Sequence, residues 1–415
     1  MFILYQILSF FFLVLSPLII IYRIIINKEN KSRFLERYGF SSIKRKNGKL
    51  IWFHCSSVGE LLSIIPLIEK LDNNKKIRQI LLTTNTLSSS KVISKYKFKK
   101  VSHQFFPIDN YLITKKFITY WKPSIFFLCE SEIWPNLINY IYNHKIKLIL
   151  INGRMTKRSF NKWKKIKFFS NKIFIKFNLC LVQNLETKKR LKFLGAKNII
   201  SLGNLKFSTS NKIKADKLDK KILNFLKNKK ILITAASTHY NEENFIIQSH
   251  LDFLRKKNKD IISIIIPRHV ERANEIKKTI ESFNLKTHLH NSKGIIKKST
   301  DVYIVNTYGD ANKFYKISKL VFMGGSLIKH GGQNPLEAAR FGSKIIHGPY
   351  ISNFKEIYQK LNTLGISHKF RSYNSGINIM KKKQDIKIKN FNNKKIIKYG
   401  EKILNSTYSK IEEMI

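Results

Sequence analysis

Three glutamates in two short polar segments have the chemistry of an acid–base site. Glu60 comes early in an expected helix, while Glu130 and Glu132 bracket a serine after a hydrophobic run. A carboxylate can draw a proton from a hydroxyl group, and neighbouring carboxylates raise each other's pKa and suit acid–base or cation-stabilising work. Glu60 is therefore a candidate general base, although a glutamate in a first helical turn can also serve only to stabilise the helix dipole. Lys206 is a candidate for offsetting charge on a donor substrate.

A glycine-rich segment has the composition of an anion-binding site. Gly324–Ser326 and Gly331–Gly332 precede the sequence Asn334-Pro-Leu-Glu337. We expect a helix to start here, with Asn334 as its N-cap, Pro335 in the first position and Glu337 returning a capping hydrogen bond. Free N–H groups at a helix start favour an anion such as a nucleotide phosphate, which leaves Glu337 to accept hydrogen bonds from ribose hydroxyls. A purely structural cap is the alternative.

Two further segments could contact a nucleotide. Arg268 and His269 follow Pro267 and a buried-looking strand, and a guanidinium in that position can hold a phosphate through two hydrogen bonds. An arginine after a strand can equally be an ordinary surface residue. Tyr308-Gly309-Asp310 lies where a loop could approach a base or a ribose.

The sequence predicts neither a metal nor a cofactor. It contains no Asp-x-Asp clamp for a metal–nucleotide complex, no GxxxxGK[ST] or GxGxxG phosphate loop, and no HExxH or GxSxG motif. Its three cysteines, Cys55, Cys129 and Cys180, have neither zinc-ligand spacing nor the pattern of a disulfide framework. We interpret His288 and His290, which alternate on a probable strand and lack a third ligand, as surface residues.

The elements that must position these residues alternate between short apolar runs and helix-length segments. This pattern predicts parallel sheets covered by helices on both faces, in two doubly wound Rossmann-like domains facing across a cleft. The polar and glycine-rich clusters follow the strands, at the edge where open parallel sheets bind ligands. We expect an N-terminal domain at 27–207, a linker at 208–221 and a C-terminal domain at 222–415, with the option that the last helix packs on the first domain. The twelve predicted strands are Leu50–His54, Ile80–Thr84, Val101–Phe106, Ile125–Cys129, Lys147–Asn152, Leu179–Val182, Ile199–Leu202, Lys230–Ala235, Ile261–Ile266, Val302–Val305, Leu320–Met323 and Lys344–Ile346.

The N-terminal segment, residues 1–26, is predicted to be a single transmembrane helix. Phe2 to Tyr22 is uncharged and would span roughly 30 Å as a helix. Arg23 and Lys28 follow it, which by the positive-inside rule places the rest of the chain in the cytoplasm. A hydrophobic helix packed on the first domain is the alternative.

The chain is strongly basic, with 78 Lys and Arg against 26 Asp and Glu and a formal charge of +52. Such a surface attracts polyanions, namely nucleic acid, anionic lipids or phosphorylated substrates. The anchor and the lack of a recognisable nucleic-acid module argue against nucleic acid as a partner. Apolar residues at near-helical spacing within Ser159–Phe177 could contact the bilayer or acyl chains, or could simply pack a helix on its sheet.

At these residues the sequence resembles the Kdo (3-deoxy-D-manno-octulosonic acid) transferases of lipopolysaccharide core biosynthesis, over nearly the whole chain after the anchor. Gln333 departs from the resemblance, since histidine is expected there. The motifs that carry it are Ser57-Val-Gly-Glu60, Glu130-Ser-Glu-Ile-Trp-Pro-Asn136, Gly203-Asn-Leu-Lys-Phe207, Ala235-Ala-Ser-Thr-His239, Pro267-Arg-His269, Phe322-Met-Gly-Gly-Ser326, Gly331-Gly-Gln-Asn-Pro-Leu-Glu-Ala338, and Gly348-Pro349 with Asn353-Phe354.

The resemblance implies a GT-B fold, CMP-Kdo as donor and a lipid A precursor as acceptor, at the bacterial inner membrane. It also implies inversion at the anomeric carbon without a metal, Glu60 as the general base, and Glu130 and Lys206 as groups that stabilise the transition state. A GT-B enzyme that uses a UDP- or ADP-sugar is the nearest alternative. The residues that the resemblance assigns to CMP are Pro267, Arg268, Tyr308, Gly309, Asp310, Asn334, Pro335, Leu336 and Glu337.

Overall fold

Two parallel sheets of seven strands each form the frame of the chain, one in each of two units. A computed structural model describes residues 1–208, 217–227, 229–254, 260–292, 294–383 and 389–415. The first unit comprises Met1–Asn211 and Tyr399–Ile415, and the second comprises Lys212–Lys398. Much of the predicted linker at 208–221 lies outside the described residues.

The first sheet has the strand order β3-β2-β1-β4-β5-β6-β7, and its pairs are parallel. Its central strands are near-continuous apolar runs because helices cover both faces of the sheet. In the core, the ring of Trp52 stacks on Phe126 with 3.9 Å between centroids. The strands are β1 (Leu50–Cys55), β2 (Gln79–Thr84), β3 (Val101–Phe105), β4 (Ile125–Cys129), β5 (Lys147–Gly153), β6 (Leu179–Val182) and β7 (Ile199–Ser201).

Nine helices, counted among the described residues, belong wholly or partly to the first unit. From Tyr399 onward the last helix lies in this unit, where Asn405 accepts a hydrogen bond from Lys70 of α2. The helices are α1 (Phe2–Ile25), α2 (Val58–Asp72), α3 (Leu87–Ile93), α4 (Tyr111–Trp121), α5 (Pro135–Asn143), α6 (Lys157–Lys165), α7 (Lys167–Phe174), α8 (Leu185–Phe193) and α16 (Lys389–Glu412).

Helix α1 is long and apolar enough to be a candidate membrane span, and most of its large side chains are exposed. Its polar residues at positions 5, 9, 16 and 23 lie on one helical face, because their spacing keeps them within about 40° of one another at 100° per residue. This polar stripe holds the helix to the rest of the first unit. Its hydrogen bonds join Tyr5 to Asp109 at 2.7 Å, Ser9 to Asn136 at 3.1 Å, Ser16 to Tyr38 at 3.0 Å and Arg23 to Glu29 at 3.3 Å.

The aromatic segment Ser159–Phe177 does not form one helix. The backbone leaves the helical conformation at Ile166, which separates α6 from α7. Phe169, Ile173 and Phe177 are buried in the core of the first unit. The burial of these three side chains shows that this part of the segment packs in the core of the first unit.

The second sheet has the strand order β10-β11-β9-β8-β12-β13-β14, and its pairs are again parallel. The strands are β8 (Lys230–Thr238), β9 (Ile261–Pro267), β10 (Thr287–Leu289), β11 (Val302–Ile304), β12 (Leu320–Met323), β13 (Lys344–His347) and β14 (Ser367–Lys369). The helices around it are α9 (Lys220–Lys227), α10 (Glu243–Leu254), α11 (Ala273–Glu281), α12 (Ala311–Tyr315), α13 (Leu336–Arg340), α14 (Lys355–Thr363) and α15 (Tyr373–Lys383).

In each sheet the chain starts at an interior strand, adds strands on one side of it and then crosses to the other side, and we call the place of this crossing the reversal point. In the first sheet this point lies between β1 and β4, and in the second it lies between β8 and β12. Connections leave such a pair of strands in opposite directions, which opens a crevice beyond their carboxyl ends. The two candidate sites occupy these crevices.

Candidate active site

The acid–base candidates of the first unit surround the carboxyl ends of β1 and β4. Ser56 directly follows β1 and Glu130 directly follows β4, and the two strands are paired in register. Glu60 lies in the first turn of α2, and only two residues separate the end of β1 from the start of this helix. The predicted segments therefore meet at the reversal point of the sheet.

Glu60 is held by the start of its own helix. Ser57 is the N-cap, and its hydroxyl accepts from the Glu60 N–H at 3.3 Å and donates to Glu60 Oε1 at 3.2 Å. Glu60 Oε2 accepts from the backbone N–H of Ser56 at 2.8 Å. Desolvation, reinforced by the charges of Glu130 and Glu132, nevertheless raises the pKa of Glu60 to about 7. The Glu60 side chain thus caps the start of its own helix and also has a pKa suited to a general base near neutral pH.

Glu130 has a left-handed backbone with φ of 52°, and only 7% of the residue is exposed. Its backbone N–H donates to Ile151 O, and its own carbonyl accepts from the Arg154 N–H. Its carboxylate forms an ion pair with Lys206, with Nζ 2.6 Å from Oε1. The backbone thereby turns the carboxylate away from the strand direction and toward the lysine.

Lys206 reaches this position from the short 3-10 turn Leu205–Phe207. The side chain of Asn204 accepts from the Lys206 N–H at 2.9 Å and donates to Gln183 at 3.0 Å. Asn152, at the end of β5, accepts from the Leu205 N–H at 3.0 Å. Amide side chains from neighbouring strand ends therefore fix the turn that presents the ammonium group.

Glu132 is the third carboxylate of the cluster, and burial raises its pKa while a hydrogen bond from Ser56 opposes the shift. Its Oε2 lies 3.9 Å from Nε2 of His54. His54 is fully buried and its ring stacks on Phe106 with 3.6 Å between centroids. Desolvation lowers the pKa of His54 to about 3, so the imidazole is neutral and does not compensate the charge of Glu132.

In the second unit, the glycine-rich loop is tied down by a carboxylate that the sequence reasoning missed. Glu242 is 1% exposed and accepts hydrogen bonds from the backbone N–H groups of Gly325, Ser326 and Leu327, at 2.6, 3.0 and 2.9 Å. It also accepts from the His239 N–H at 3.0 Å. These three loop N–H groups are therefore engaged within the protein and are not available to a phosphate. An acidic residue just before α10 was the available signal.

The predicted helix after this loop is short and begins one residue later than predicted. α13 has five residues and starts at Leu336, whose N–H donates to Asn334 Oδ1 at 3.1 Å. Pro335 stands at the N-cap position that was expected for Asn334, although the Asn334 side chain still supplies the capping oxygen. Glu337 is an exposed residue of the first turn.

Three histidines and Arg268 gather at the carboxyl ends of β8 and β9. The His239 ring lies 4.2 Å from the ring of His330 and 6.1 Å from that of His269. Gln333 Nε2 lies 3.1 Å from His239 Nε2, and the Arg268 N–H donates to Thr238 O at 3.0 Å. Desolvation, together with these neighbouring positive groups, lowers the pKa of His239 to about 4. This cluster of hydrogen-bond donors suits an anion, and His330 had not been singled out in the sequence.

The Tyr308-Gly309-Asp310 segment is anchored differently at its two ends. Tyr308 is exposed, and its hydroxyl donates to Glu271 at 2.9 Å. Desolvation would raise the pKa of Asp310, but hydrogen bonds from Lys313 and Thr307 outweigh it and lower the pKa. Asp310 Oδ1 is 2.6 Å from Lys313 Nζ, so its carboxylate is already engaged within the protein.

The structure thus brings Glu60, Glu130 and Lys206 into one cluster of the first unit. In the second unit, Tyr308 donates a hydrogen bond to Glu271, and Arg268 lies close enough to Tyr308 to influence its pKa. Gln333, the residue before Asn334, contacts His239, which lies close enough to Arg268 for that charge to influence the His239 pKa. Within the described part of the chain, no three His, Cys, Asp or Glu side chains are grouped so that they could hold a metal ion.

The chain is similar in sequence to known 3-deoxy-D-manno-octulosonic acid transferases. Residues 32–209 match the family described as 3-deoxy-D-manno-octulosonic-acid transferase (kdotransferase). The 3-deoxy-D-manno-octulosonic acid transferase of Rickettsia bellii is 36% identical over 355 residues, 85% of this chain and 84% of the relative. The enzyme of the same name from Haemophilus influenzae is 30% identical over 339 residues, 80% of this chain and 78% of the relative.

Among solved structures, UDP-GlcNAc 2-epimerase from Neisseria meningitidis, bound to UDP-GlcNAc, has the same overall fold. The TM-score is 0.53 at 14% identity, over 87% of this chain and all of the epimerase chain. An identity this low supports the shared two-domain GT-B architecture alone.

Proposed function

The chain belongs to the Kdo transferase family of glycosyltransferases, and from this premise we propose that it transfers Kdo from CMP-Kdo to a hydroxyl of a lipid A precursor of the lipid IVA type. The observation that carries the proposal is the cluster of Glu60, Glu130 and Lys206 at the reversal point of the first sheet. It combines a carboxylate whose pKa is raised to about 7 with a partly buried ion pair.

In the proposed reaction, the acceptor hydroxyl oxygen attacks the anomeric carbon of Kdo from the face opposite the phosphate. The new carbon–oxygen bond forms as the bond from that carbon to the CMP phosphate breaks, CMP leaves, and the anomeric configuration inverts. Glu60 takes the hydroxyl proton, for which a carboxylate with a pKa near neutrality is well matched.

We assign Glu130 and Lys206 to charge stabilisation during this step. The Lys206 ammonium can offset the negative charge of the donor and of the leaving CMP, while the Glu130 carboxylate orients it at 2.6 Å. Such a preorganised pair needs little rearrangement when charge develops in the transition state.

We assign the second unit to the donor. Arg268 would hold the CMP phosphate, and Pro267, Tyr308, Gly309 and the Asn334–Glu337 segment would contact the rest of the nucleotide. Asp310 is the weakest member of this group because its carboxylate already pairs with Lys313. The proposed transfer uses no metal, because CMP-Kdo has a single phosphate and needs no carboxylate–metal clamp for a diphosphate.

For localisation, we propose that α1 anchors the chain at the bacterial inner membrane, with the catalytic units on the cytoplasmic side. The exposed apolar side chains of α1 and the formal charge of +52 both support association with an anionic bilayer that holds the acceptor.

Mass spectrometry tests the proposed reaction directly. The purified protein, incubated with lipid IVA and CMP-Kdo, should yield acceptor that is heavier by one or more Kdo residues, both with and without excess EDTA. Transfer from UDP- or ADP-sugars but not from CMP-Kdo would favour the alternative donor class. Loss of activity in EDTA that magnesium restores would overturn the metal-free mechanism.

The pH dependence of the reaction should report the raised pKa of Glu60. Below pH 7 this carboxylate becomes protonated and cannot accept another proton, so kcat/KM should fall about tenfold per pH unit on the acid side. Because the three carboxylates interact, the apparent pKa belongs to the cluster. Glu132→Gln removes one nearby negative charge and should shift the acid limb to lower pH. This role for Glu60 would be contradicted if Glu132→Gln shifted the acid limb of the kcat/KM profile to higher pH. It would also be contradicted if the profile had no acid limb between pH 5 and 8.

Arg268→Ala should weaken CMP binding. The lost charge-assisted hydrogen bonds correspond to about a 10- to 150-fold rise in Kd, measured by isothermal calorimetry. Arg371→Ala removes the same charge from another exposed position of the second unit and serves as the matched control. Equal effects of the two substitutions would reduce Arg268 to a general electrostatic contribution.

A further inference from the structure

An apolar groove lies between α1 and the carboxyl edge of the first sheet. Its volume is about 720 Å³, which falls within the range of roughly 300–1,000 Å³ that is typical of small-molecule sites. Leu8 and Phe12 of α1 line one wall, and Phe106, Ile108 and Trp134 line the other. All of these residues belong to the first unit.

Hydrogen bonds along α1 keep the groove beside this helix, so the groove adjoins the bilayer if α1 is the membrane anchor that we propose. The polar stripe binds the rest of the first unit from Tyr5 to Arg23, a distance of about 27 Å along the helix axis. Leu8 and Phe12 remain 58% and 51% exposed, so the wall that they form is not closed by the protein. Hydrocarbon fills an open apolar channel beside a membrane helix more favourably than water does, because it removes the apolar lining from contact with water.

The inner end of the groove is connected to the catalytic cluster. Asn85 lines the groove, and its side chain donates to Ser56 Oγ at 3.0 Å. The Ser56 N–H in turn donates to Glu60 Oε2 at 2.8 Å. Phe106 separates the groove from His54, on whose ring it stacks. Only one layer of side chains therefore stands between the apolar lining and the carboxylates.

We propose that this groove binds one acyl chain of the acceptor lipid and thereby delivers the acceptor hydroxyl to Glu60. The inference rests on the proposed function, since it places the acylated acceptor of that reaction. The chain enters sideways from the bilayer between α1 and Ile108, while the polar headgroup stays at the carboxylate edge. The acceptor need not leave the membrane to react.

Filling the groove tests the assignment. Ile108→Trp and Leu8→Trp add bulk from opposite walls, so misfolding of one variant leaves the other informative. The readout is the ratio of kcat/KM for acylated lipid A precursor to kcat/KM for the same headgroup stripped of its acyl chains. We expect this ratio to fall about 10- to 200-fold, the range for misfit in an apolar pocket. Leu112→Trp, at an exposed position outside the groove, should leave the ratio unchanged. A ratio unchanged in both groove variants overturns the proposal.

A second measurement does not depend on turnover. Lipid A precursor with brominated acyl chains should quench the fluorescence of Trp134, which lines the groove, and Trp134→Phe should abolish this part of the quenching. Quenching without transfer to either acceptor would leave the groove assignment standing and reject the proposed function. Normal transfer with neither quenching nor a change in the ratio would support the proposed function and reject the groove assignment.

Discussion

Replacing Glu60 by glutamine should lower kcat by about 10²- to 10⁴-fold, the usual contribution of general-base assistance. Glutamine can still accept the Ser56 N–H hydrogen bond that holds the side chain, but it cannot take a proton from the acceptor. The measurement is turnover on lipid A precursor under saturating CMP-Kdo. CMP affinity should remain nearly unchanged, because Glu60 lies in the first unit and the donor contacts are assigned to the second.

Glu132→Gln is the matched control for this substitution, since it removes a carboxylate of the same cluster that we do not assign to proton transfer. Its kcat near pH 8 should fall much less than that of Glu60→Gln. Near-normal turnover of Glu60→Gln would leave Glu60 with its helix-capping role only, and Glu130 would become the candidate base.

Lys206→Met should lower kcat by about 10²- to 10³-fold, as the loss of a single charge-stabilising donor does in other enzymes. It should also destabilise the fold, by up to about 3–5 kcal/mol, because it leaves the Glu130 carboxylate partly buried without its cation. Both quantities can be measured on the same preparations, kcat by transfer assay and stability by denaturant unfolding.

The double variant Lys206→Met/Glu130→Gln separates the two effects. Neutralising both partners should restore much of the lost stability, because no uncompensated charge remains. Activity should stay low, since the ammonium group is still missing. If activity returned together with stability, the ion pair would be structural and the charge-stabilising role would be wrong.

Much of the fold could be predicted because its central strands carry a strong local signal. All twelve predicted strands are present, most with ends shifted by one residue or none, since buried parallel strands are continuous apolar runs between polar breaks. β14 was missed, and β10 was anticipated only as a probable strand carrying His288 and His290. Each has three residues and lies at an edge of its sheet, where partial exposure weakens the apolar signal.

The positions of the candidate sites were predictable for the same reason, because strand ends follow from strands. The contacts that define their chemistry were not. Glu130 and Lys206 are separated by 76 positions in the chain, and Glu242 closes a loop that begins more than 80 residues later. Such pairs depend on strand order, which local patterns do not determine. The capping preferences of Asn334 and Pro335 also placed the start of α13 one residue too early.

Because the backbone of Glu130 is left-handed, the residue that would be most stable at position 130 differs from the residue that we assign to catalysis. Asn152 has nearly the same φ, 51° against 52°, yet uses asparagine, which tolerates this conformation far better than glutamate does. A saturation library at position 130 selected for folding alone should therefore enrich glycine and asparagine, whereas selection for turnover should retain glutamate. Divergence between the two enrichment profiles would mark this backbone as strain that is kept for its effect on the reaction.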